Sequence, residues 1–331
     1  MIDKNSFDGS LQTKGEFFKS ANFASVHDQI NSAVLKYVDP ERKEILPQYR
    51  QERPCLVCDS TDRTLLFRKS CFQHVRCGQC GFIYVNPMLR EDLLVEYYSA
   101  VSGSWADITE KEAYTSFQNK YYNFHLDILE QHVGTSNRKI LDIGCNNGEF
   151  LTVARSRGWE PVGHELNTYA VARARSKGIE VLDGKLTDAT FKGRTFGAIT
   201  FLGVLEHLPF PQQLLKIARS LIESGGVLAS LVPNADSLAT RILQERSNTF
   251  DGIEHLNFWN RNNYATFIAR CGFKLVQAET AISELYTFNN YLNFEHPYSP
   301  ACSRELLLPL DPNFINQHYL GHHLCCYSQP C

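Results

Sequence analysis

The chain has 331 residues, 33 Lys and Arg against 36 Asp and Glu, a formal net charge of −3 and 43% hydrophobic residues. That length holds one large domain with a small companion, and the balance is globular rather than disordered. The slight acidity gives no reason to expect nucleic-acid or membrane-surface partners, which usually recruit a basic excess. No run approaches the ~18 apolar residues that span a bilayer. The opening MIDKNSFDGS has no apolar signal core, so the expected location is the cytoplasm.

Residues 1–54 read as a helical and linker segment. SVHDQINSAVLKYV has loose helical periodicity, and DPERKEILPQYRQERP is a linker closed by Pro54. Residues 55–90 are rich in β-formers and carry Cys55, Cys58, Cys77 and Cys80, two C-x-x-C pairs with eighteen residues between them. Each pair sits on a tight turn that aims two thiolates inward, and two such turns complete a tetrahedron around zinc. Gly78 and Gly81 permit the second turn. A redox pair explains one C-x-x-C but not two at this spacing. Four thiolates close the coordination shell, so the expected module is a small zinc ribbon with structural Zn2+. It cannot bury much surface of its own, so metal binding supplies its folding energy. The odd total of eleven cysteines is not a disulfide framework.

Residues 91–137 form a helical lead-in. Phe117, Tyr121, Phe124 and Ile128 make one apolar stripe, expected to pack on the domain that follows. Residues 138–331 alternate. KILDIG is a strand and EFLTVARSRG a helix ended by Gly158. WEPVGHE is a strand; NTYAVARARSKG is a helix capped by Asn167 and stopped at Gly178. IEVLDG and FGAITFL are strands. PQQLLKIARSLIESGG places Leu214, Leu215, Ala218, Leu221 and Ile222 on one helical face. VLASLVPN is a strand, NRNNYATFIARCG a helix, FKLVQAETA a strand, and HHLCCYSQ a last strand. This alternation predicts an α/β fold: a mostly parallel sheet with helices on both faces. The aromatic-rich stretch 285–317 is an insertion before the last strand.

In an open α/β sheet, ligands sit beyond the C-terminal strand ends. Asp142 to Gly148, in KILDIGCNNGEF, occupies that place after the first strand. The loop lacks both the G-x-G-x-x-G triplet and the Gly-Lys-Ser/Thr of a phosphate cradle. Glu149 at the helix start would repel a ligand phosphate. A ligand with an amino acid and a ribose but no phosphate fits better. Glu165 ends the second strand, about 20 residues on, where a carboxylate can accept both ribose hydroxyls.

The segments ILDIGCNNGEF, WEPVGHELN, GAITFLGVLEHLPFP, GGVLASLVPN, EHLNFWN and GFKLV together resemble class I S-adenosylmethionine-dependent methyltransferases. The likeness is to the small-molecule branch with the ubiquinone-type O-methyltransferases and the sugar methyltransferases. It covers about residues 138–280 and the last strand at 323–328. It implies a Rossmann-like seven-stranded sheet with a reversed final strand. It also implies S-adenosyl-L-methionine as cofactor, with Asp142, Gly144, Asn146 and Gly148 at the methionine moiety and Glu165 at the ribose. Phe201–Gly203, with Leu202, would line the cofactor. Asn146 replaces the family's usual middle glycine; Asn tolerates left-handed φ best after glycine. Lys185 stands where the family often has Asp against the adenine amino group. Lysine cannot accept that bond, so Asp183 or the Leu186 backbone is the expected substitute. VRCGQCGFIYVNPMLREDLLVEYYS resembles the zinc-binding segment ahead of some sugar and natural-product methyltransferases, and a module there is expected to cover the substrate mouth.

Methyl transfer aligns nucleophile and methyl in line and often removes one proton. Glu206 and His207 fall just past the fourth strand, near the expected methyl. Glu254, His255, Phe258 and Trp259 precede a later helix, where the branch forms its substrate pocket. His207 or His255 is the candidate general base. The ubiquinone-type relatives suggest another use for Glu206 and His207, as ligands or orienters of a divalent cation. The expected acceptor is a small molecule or sugar-nucleotide intermediate, methylated on oxygen, with specificity shaped by the 285–317 insertion. Two other readings stay open: a methyltransferase acting on RNA or protein, and a non-catalytic scaffold on the same fold.

Overall fold

The computed structural model describes residues 34–98, 112–133, 137–187, 189–247, 249–282 and 312–331. The N-terminal part holds short strands: β1 (Val38–Asp39), β2 (Glu44–Ile45), β3 (Arg50–Gln51), β4 (Arg63–Lys69), β5 (Phe72–Cys77), β6 (Ile83–Val85) and β7 (Met88–Leu89). β1 pairs with β2, and β3 with β7. The stretch read as a linker is therefore folded back onto the cysteine-bearing segment. The helical reading of residues 25–38 falls mostly outside the described residues.

Helix α1 (Glu112–Val133) follows a helical stretch at 91–98. Then come β8 (Lys139–Ile143), α2 (Glu149–Ser156), β9 (Glu160–Glu165), α3 (Thr168–Ser176), β10 (Glu180–Asp183), β11 (Phe196–Leu202), α4 (Pro211–Leu221) and β12 (Ile222–Pro233). After these lie α5 (Leu238–Leu243), β13 (Asn257–Phe258), α6 (Arg261–Arg270), β14 (Phe273–Ala281), α7 (Pro312–Gln317) and β15 (His323–Pro330). Of the insertion at 285–317, only 312–317 lies within the described residues.

The strands assemble as β10-β9-β8-β11-β12-β15-β14. β8 to β12 run parallel, and β15 is antiparallel to both neighbours, the reversed strand expected from the resemblance. Successive side chains point to opposite faces. Leu141, Ile199, Leu228 and Cys326 go to one face with Leu215 and Ala218 of α4 and Phe267 and Ile268 of α6. Ile140, Ala198, Val227 and Cys325 go to the other with Phe124, Ile128 and Leu129 of α1 and Leu151 of α2. Tyr121, Phe124 and Ile128 are buried, so the apolar stripe packs on the sheet as expected; the Phe117 side chain lies outside the described residues.

One element differs. Ile222 was expected on the α4 face but begins β12, with φ −82° and ψ 134°. It pairs with Phe196, so the long central strand captures it once the helix ends at Leu221. Among the described residues no helix is long and apolar enough to cross a membrane.

A second sheet joins two distant stretches. β4, β5 and β6 form an antiparallel meander, and β13 adds to β6 through Asn257 opposite Tyr84 and Phe258 opposite Ile83. Buried Arg53 donates to Pro209 O at 2.7 Å and Leu256 O at 2.8 Å. Val85 N donates to Leu256 O at 3.0 Å.

Gly163 of β9 allows a close approach: a Cβ there would lie 2.5 Å from Cys145 Sγ and 3.2 Å from Leu151 Cδ1. Gly163→Ala is expected to cost roughly 1–3 kcal/mol of stability through overpacking. Adding Cys145→Ala should recover part of that loss in urea unfolding. An additive double variant would contradict the contact.

Candidate active site

The turn between β8 and α2 is built by three residues of left-handed backbone: Gly144 (φ 80°), Asn146 (φ 47°) and Gly148 (φ 77°). Asn146 therefore does the work of a glycine there. A Cβ at Gly144 would fall 2.6 Å from Val204 Cγ2, so the loop after β11 lies directly against this turn. Gly144 N and Cys145 N both donate to His164 O, at 2.8 and 3.1 Å. Lys177 Nζ donates to Asn147 O at 2.8 Å and to Glu149 Oε1 at 2.7 Å. Glu149 is thus paired, and its expected repulsion of a ligand phosphate is largely neutralised.

The Glu165 carboxylate organises the turn. Its Oε2 accepts Asn146 N–H at 2.9 Å, and its Oε1 accepts Leu166 N–H at 2.7 Å and Asn167 N–H at 2.9 Å. Each carboxylate oxygen accepts more than one bond, so capacity for hydroxyls remains. Asp142 is buried beside it, and its Oδ1 accepts the Thr200 hydroxyl at 2.6 Å from the adjoining strand. Burial pushes the Asp142 carboxyl up to about 7; the Thr200 bond opposes this and the Glu165 charge adds to it. Asp183 lies in register with Glu165 on the next strand, and Arg175 holds it at 3.0 Å. Lys185 is exposed, Leu186 is buried in the core, and Leu202 is half-buried at the end of β11. Asp142, Gly144, Asn146, Gly148, Glu165 and Leu202 therefore share one end of the sheet. Asp183 reaches it already engaged, and the Leu186 side chain turns into the core.

Glu206, His207 and His255 converge, each offering one donor atom within 4.8 Å of the others. His207 Nδ1 donates to Glu254 O at 2.7 Å and His255 Nδ1 to Thr249 O at 2.9 Å. A carbonyl only accepts, so both rings carry the proton on Nδ1 and leave a lone pair on Nε2. His207 Nε2 lies 3.7 Å from Glu206 Oε1, and the ring centroids of the two histidines are 5.0 Å apart. Glu206 is buried, and its Oε2 has no hydrogen-bond partner. Burial pushes its carboxyl up to about 8. Burial also pushes His207 down to about 3, with His255 adding to the effect, and lowers His255. Phe258 and Trp259, beside this segment, are fully buried core residues.

Cys55, Cys58, Cys77 and Cys80 also converge, all four sulfurs within 4.8 Å. Cys55 Sγ lies 3.5 Å from Cys80 Sγ, and Cys58 Sγ 3.5 Å from Cys77 Sγ. Tetrahedral zinc with ~2.3 Å bonds spaces its sulfurs by about 3.8 Å, so the set fits the ion. Asp59 N donates to Cys55 O and Gly81 N to Cys77 O, at 2.9 and 3.1 Å, closing the two turns. Gly81 has a left-handed φ of 73°. Gly78 has an ordinary φ, and a Cβ there would meet only the exposed Asp62 carboxylate, 2.1 Å from its Oδ2, which can swing away.

Sequence reading missed Thr200, Arg53, Tyr97 and Tyr98. Tyr98 donates its hydroxyl to Glu254 O at 2.9 Å, the carbonyl that also fixes His207. Tyr97 is buried and donates to Glu254 Oε1 at 3.3 Å. Spacing along the chain carries no signal for these contacts. Thr200 alone was detectable, as the residue placed opposite Asp142 once β8 and β11 are paired.

This geometry, with its strand order and a turn–carboxylate pair at the strand ends, is that of a class I S-adenosylmethionine-dependent methyltransferase fold. The chain belongs to the methyltransferase-domain family, whose model matches residues 106–278, more than half of it. It is 31% identical over 111 residues to the ubiquinone biosynthesis O-methyltransferase of Azoarcus sp. (strain BH72), covering 31% of this chain and 47% of that protein. It is 22% identical over 161 residues to an uncharacterised protein of Methanocaldococcus jannaschii, covering 49% of this chain and 76% of that one. The chain spans about half the length of the ubiquinone-biosynthesis relatives it matches. The fold is also that of magnesium protoporphyrin IX methyltransferase from Synechocystis PCC 6803 with bound SAH. That match has a TM-score of 0.51 and 11% identity, and covers 73% of this chain and 100% of the other.

Asp142 gives a pH test. Between about 4 and 7 the folded chain keeps a proton that the unfolded chain, near 3.8, has released. Its contribution to stability therefore falls as pH rises through that window and is flat above it. The slope is at most ~1.4 kcal/mol per pH unit. Asp142→Asn should remove it, so the variant gains on the native protein from pH 4 to 7 in urea unfolding. Parallel profiles would contradict the buried carboxyl.

Proposed function

We propose that the chain transfers a methyl group from S-adenosylmethionine to a small molecule or sugar-nucleotide-type acceptor, on oxygen. The observation that carries this is the Glu165–Asn146 hydrogen bond, with the Val204–His207 loop packed on the same turn. A carboxylate that already shapes the turn is placed to accept ribose hydroxyls, and the turn's backbone is placed at the methionine end. Asp142, beside it, is the group for the cationic amine of the methionine moiety. Asp183 and the Leu186 backbone are the groups for adenine; Asp183 would exchange its bond to Arg175 for it. Leu202 lines the same edge. Gly144 and Gly148 keep side chains out of the approach.

On the acceptor side stand Glu206, His207 and His255. Two imidazole lone pairs and an unpartnered carboxyl oxygen can orient a hydroxyl so that its oxygen faces the sulfonium methyl in line. The new bond is oxygen to carbon, the broken bond is sulfur to carbon, which leaves neutral S-adenosylhomocysteine, and the hydroxyl proton passes to the Nε2 lone pair of His207 or His255. The likeness to the Azoarcus O-methyltransferase supports oxygen as the receiving atom.

The cofactor claim is tested with S-adenosylhomocysteine by calorimetry. Glu165→Ala should weaken binding at least tenfold, whereas His255→Ala should leave it within twofold. Equal affinities for native and Glu165→Ala proteins would reject the ribose assignment.

Zn2+ held by Cys55, Cys58, Cys77 and Cys80 is the structural part of the reading. With four thiolates it has no open position, so its effect is on folding. Chelation under reducing conditions should expose four fast-reacting thiols and melt the β4–β6 meander, read by amide exchange at Val75 and Tyr84. Unchanged protection after zinc loss would contradict this role.

A further inference from the structure

Arg53 stands between the cysteine site and the acceptor wall. Pro54 alone separates it from Cys55, and proline fixes its own φ and restricts the residue before it, so this step is stiff. The Arg53 backbone N–H donates to buried Asn86 Oδ1 at 3.0 Å. Its guanidinium then spans two loops. One nitrogen donates to Pro209 O, two residues after His207, at 2.7 Å, and the other to Leu256 O, next to His255, at 2.8 Å. The two loops are also tied to each other, because Leu256 N and Asn257 N both donate to Glu206 O, at 2.8 and 3.2 Å. A shift of the Cys55 turn is therefore felt beside both imidazoles.

These bonds do not account for the charge on Arg53. The residue is buried, and a buried cation needs an opposite charge or a full set of hydrogen bonds. Its Nε is buried with no hydrogen-bond partner. Among the described residues, the charges that favour its protonated form come from Tyr84 and Cys55, and none from a carboxylate. The guanidinium carbon lies 5.5 Å from the centroid of the Tyr84 ring, and that ring shares one buried cluster with Cys55 and Cys77. Four thiolates around a divalent ion carry a net negative charge, so the filled cysteine site supplies the missing anion on this side of Arg53.

We propose that Arg53 couples metal occupancy of the cysteine site to the order of the acceptor wall. It takes its compensating charge from the metal–thiolate centre and, with the same guanidinium, holds the Pro209 and Leu256 carbonyls. Without the ion the guanidinium has no such charge to stay for, and it releases both loops. The cofactor turn is outside this circuit, because its bonds run to His164 O and the Glu165 carboxylate. Metal supply therefore sets the acceptor side and leaves the cofactor side alone. The coupling is reciprocal, so a group that tightens the two loops also tightens the metal. This inference rests on the zinc reading and is independent of methyl transfer.

The test uses full-length protein under reducing conditions. Zn2+ affinity is read by competition against a chromophoric chelator, and loop order by amide exchange in the zinc-loaded state. Arg53→Gln removes the charge but keeps a donor; Arg53→Lys keeps the charge but cannot bridge two carbonyls. Arg53→Gln should weaken Zn2+ about tenfold or more, whereas Arg53→Lys should stay within about threefold of native. Both should speed exchange at Leu256 and Asn257 about tenfold, with Leu141 of the central sheet unchanged as the internal control. Thermal unfolding shows which variants are folded; if Arg53→Gln is not, exchange in Arg53→Lys decides. Zn2+ affinity lowered equally in both folded variants, or in neither, would overturn the coupling, as would native exchange at Leu256 and Asn257 in folded Arg53→Lys. Native protein that binds no Zn2+ at the four cysteines would reject the zinc reading and the coupling together, so the two failures are distinguishable.

Discussion

Most of the arrangement depends on the pairing of Ile83–Val85 with Asn257–Phe258. These few residues join the cysteine-bearing meander to the segment that carries Glu254 and His255. Arg53 strengthens the joint by donating to both Pro209 O and Leu256 O from a buried position. Burying a guanidinium is costly, and carbonyl partners offset that cost only if they stay in place. Arg270 adds a bond to Val57 O at 2.6 Å, tying the first cysteine turn to α6. The module is thus tied directly to the loops of the candidate site.

The opposite wall of the site has its own constraint. A backbone turn with three left-handed residues leaves N–H groups pointing outward, and buried backbone donors need partners. His164 O and the Glu165 carboxylate take three of them. That arrangement keeps the turn open without a ligand and explains why Asn146 is tolerated. On the other wall, the buried Glu206 Oε2 has no hydrogen-bond partner.

The sheet was legible because each strand and helix announces itself locally. Asn167 caps α3 through bonds to Tyr169 N and Ala170 N, as its place in the sequence suggested. The four cysteines were legible from spacing alone, because two tight turns can meet only around a shared centre. What stayed hidden depends on long-range pairing. β13 has two residues, too few for any alternation to be seen, and its partner lies far away in the chain. Tyr98 meets Glu254 O for the same reason. Ile222 was misplaced because its apolar side chain suits either the end of α4 or the start of β12, and the sheet decided.

The central claim is that a cofactor seated on the Gly144–Gly148 turn faces the Glu206, His207 and His255 wall. A crystal structure of zinc-loaded protein grown with S-adenosylhomocysteine tests it most directly. The account predicts ribose hydroxyls on Glu165, the amino group beside Asp142, and the sulfur turned toward Glu206. Density for the ligand elsewhere, or with its sulfur pointing away from that wall, would contradict it.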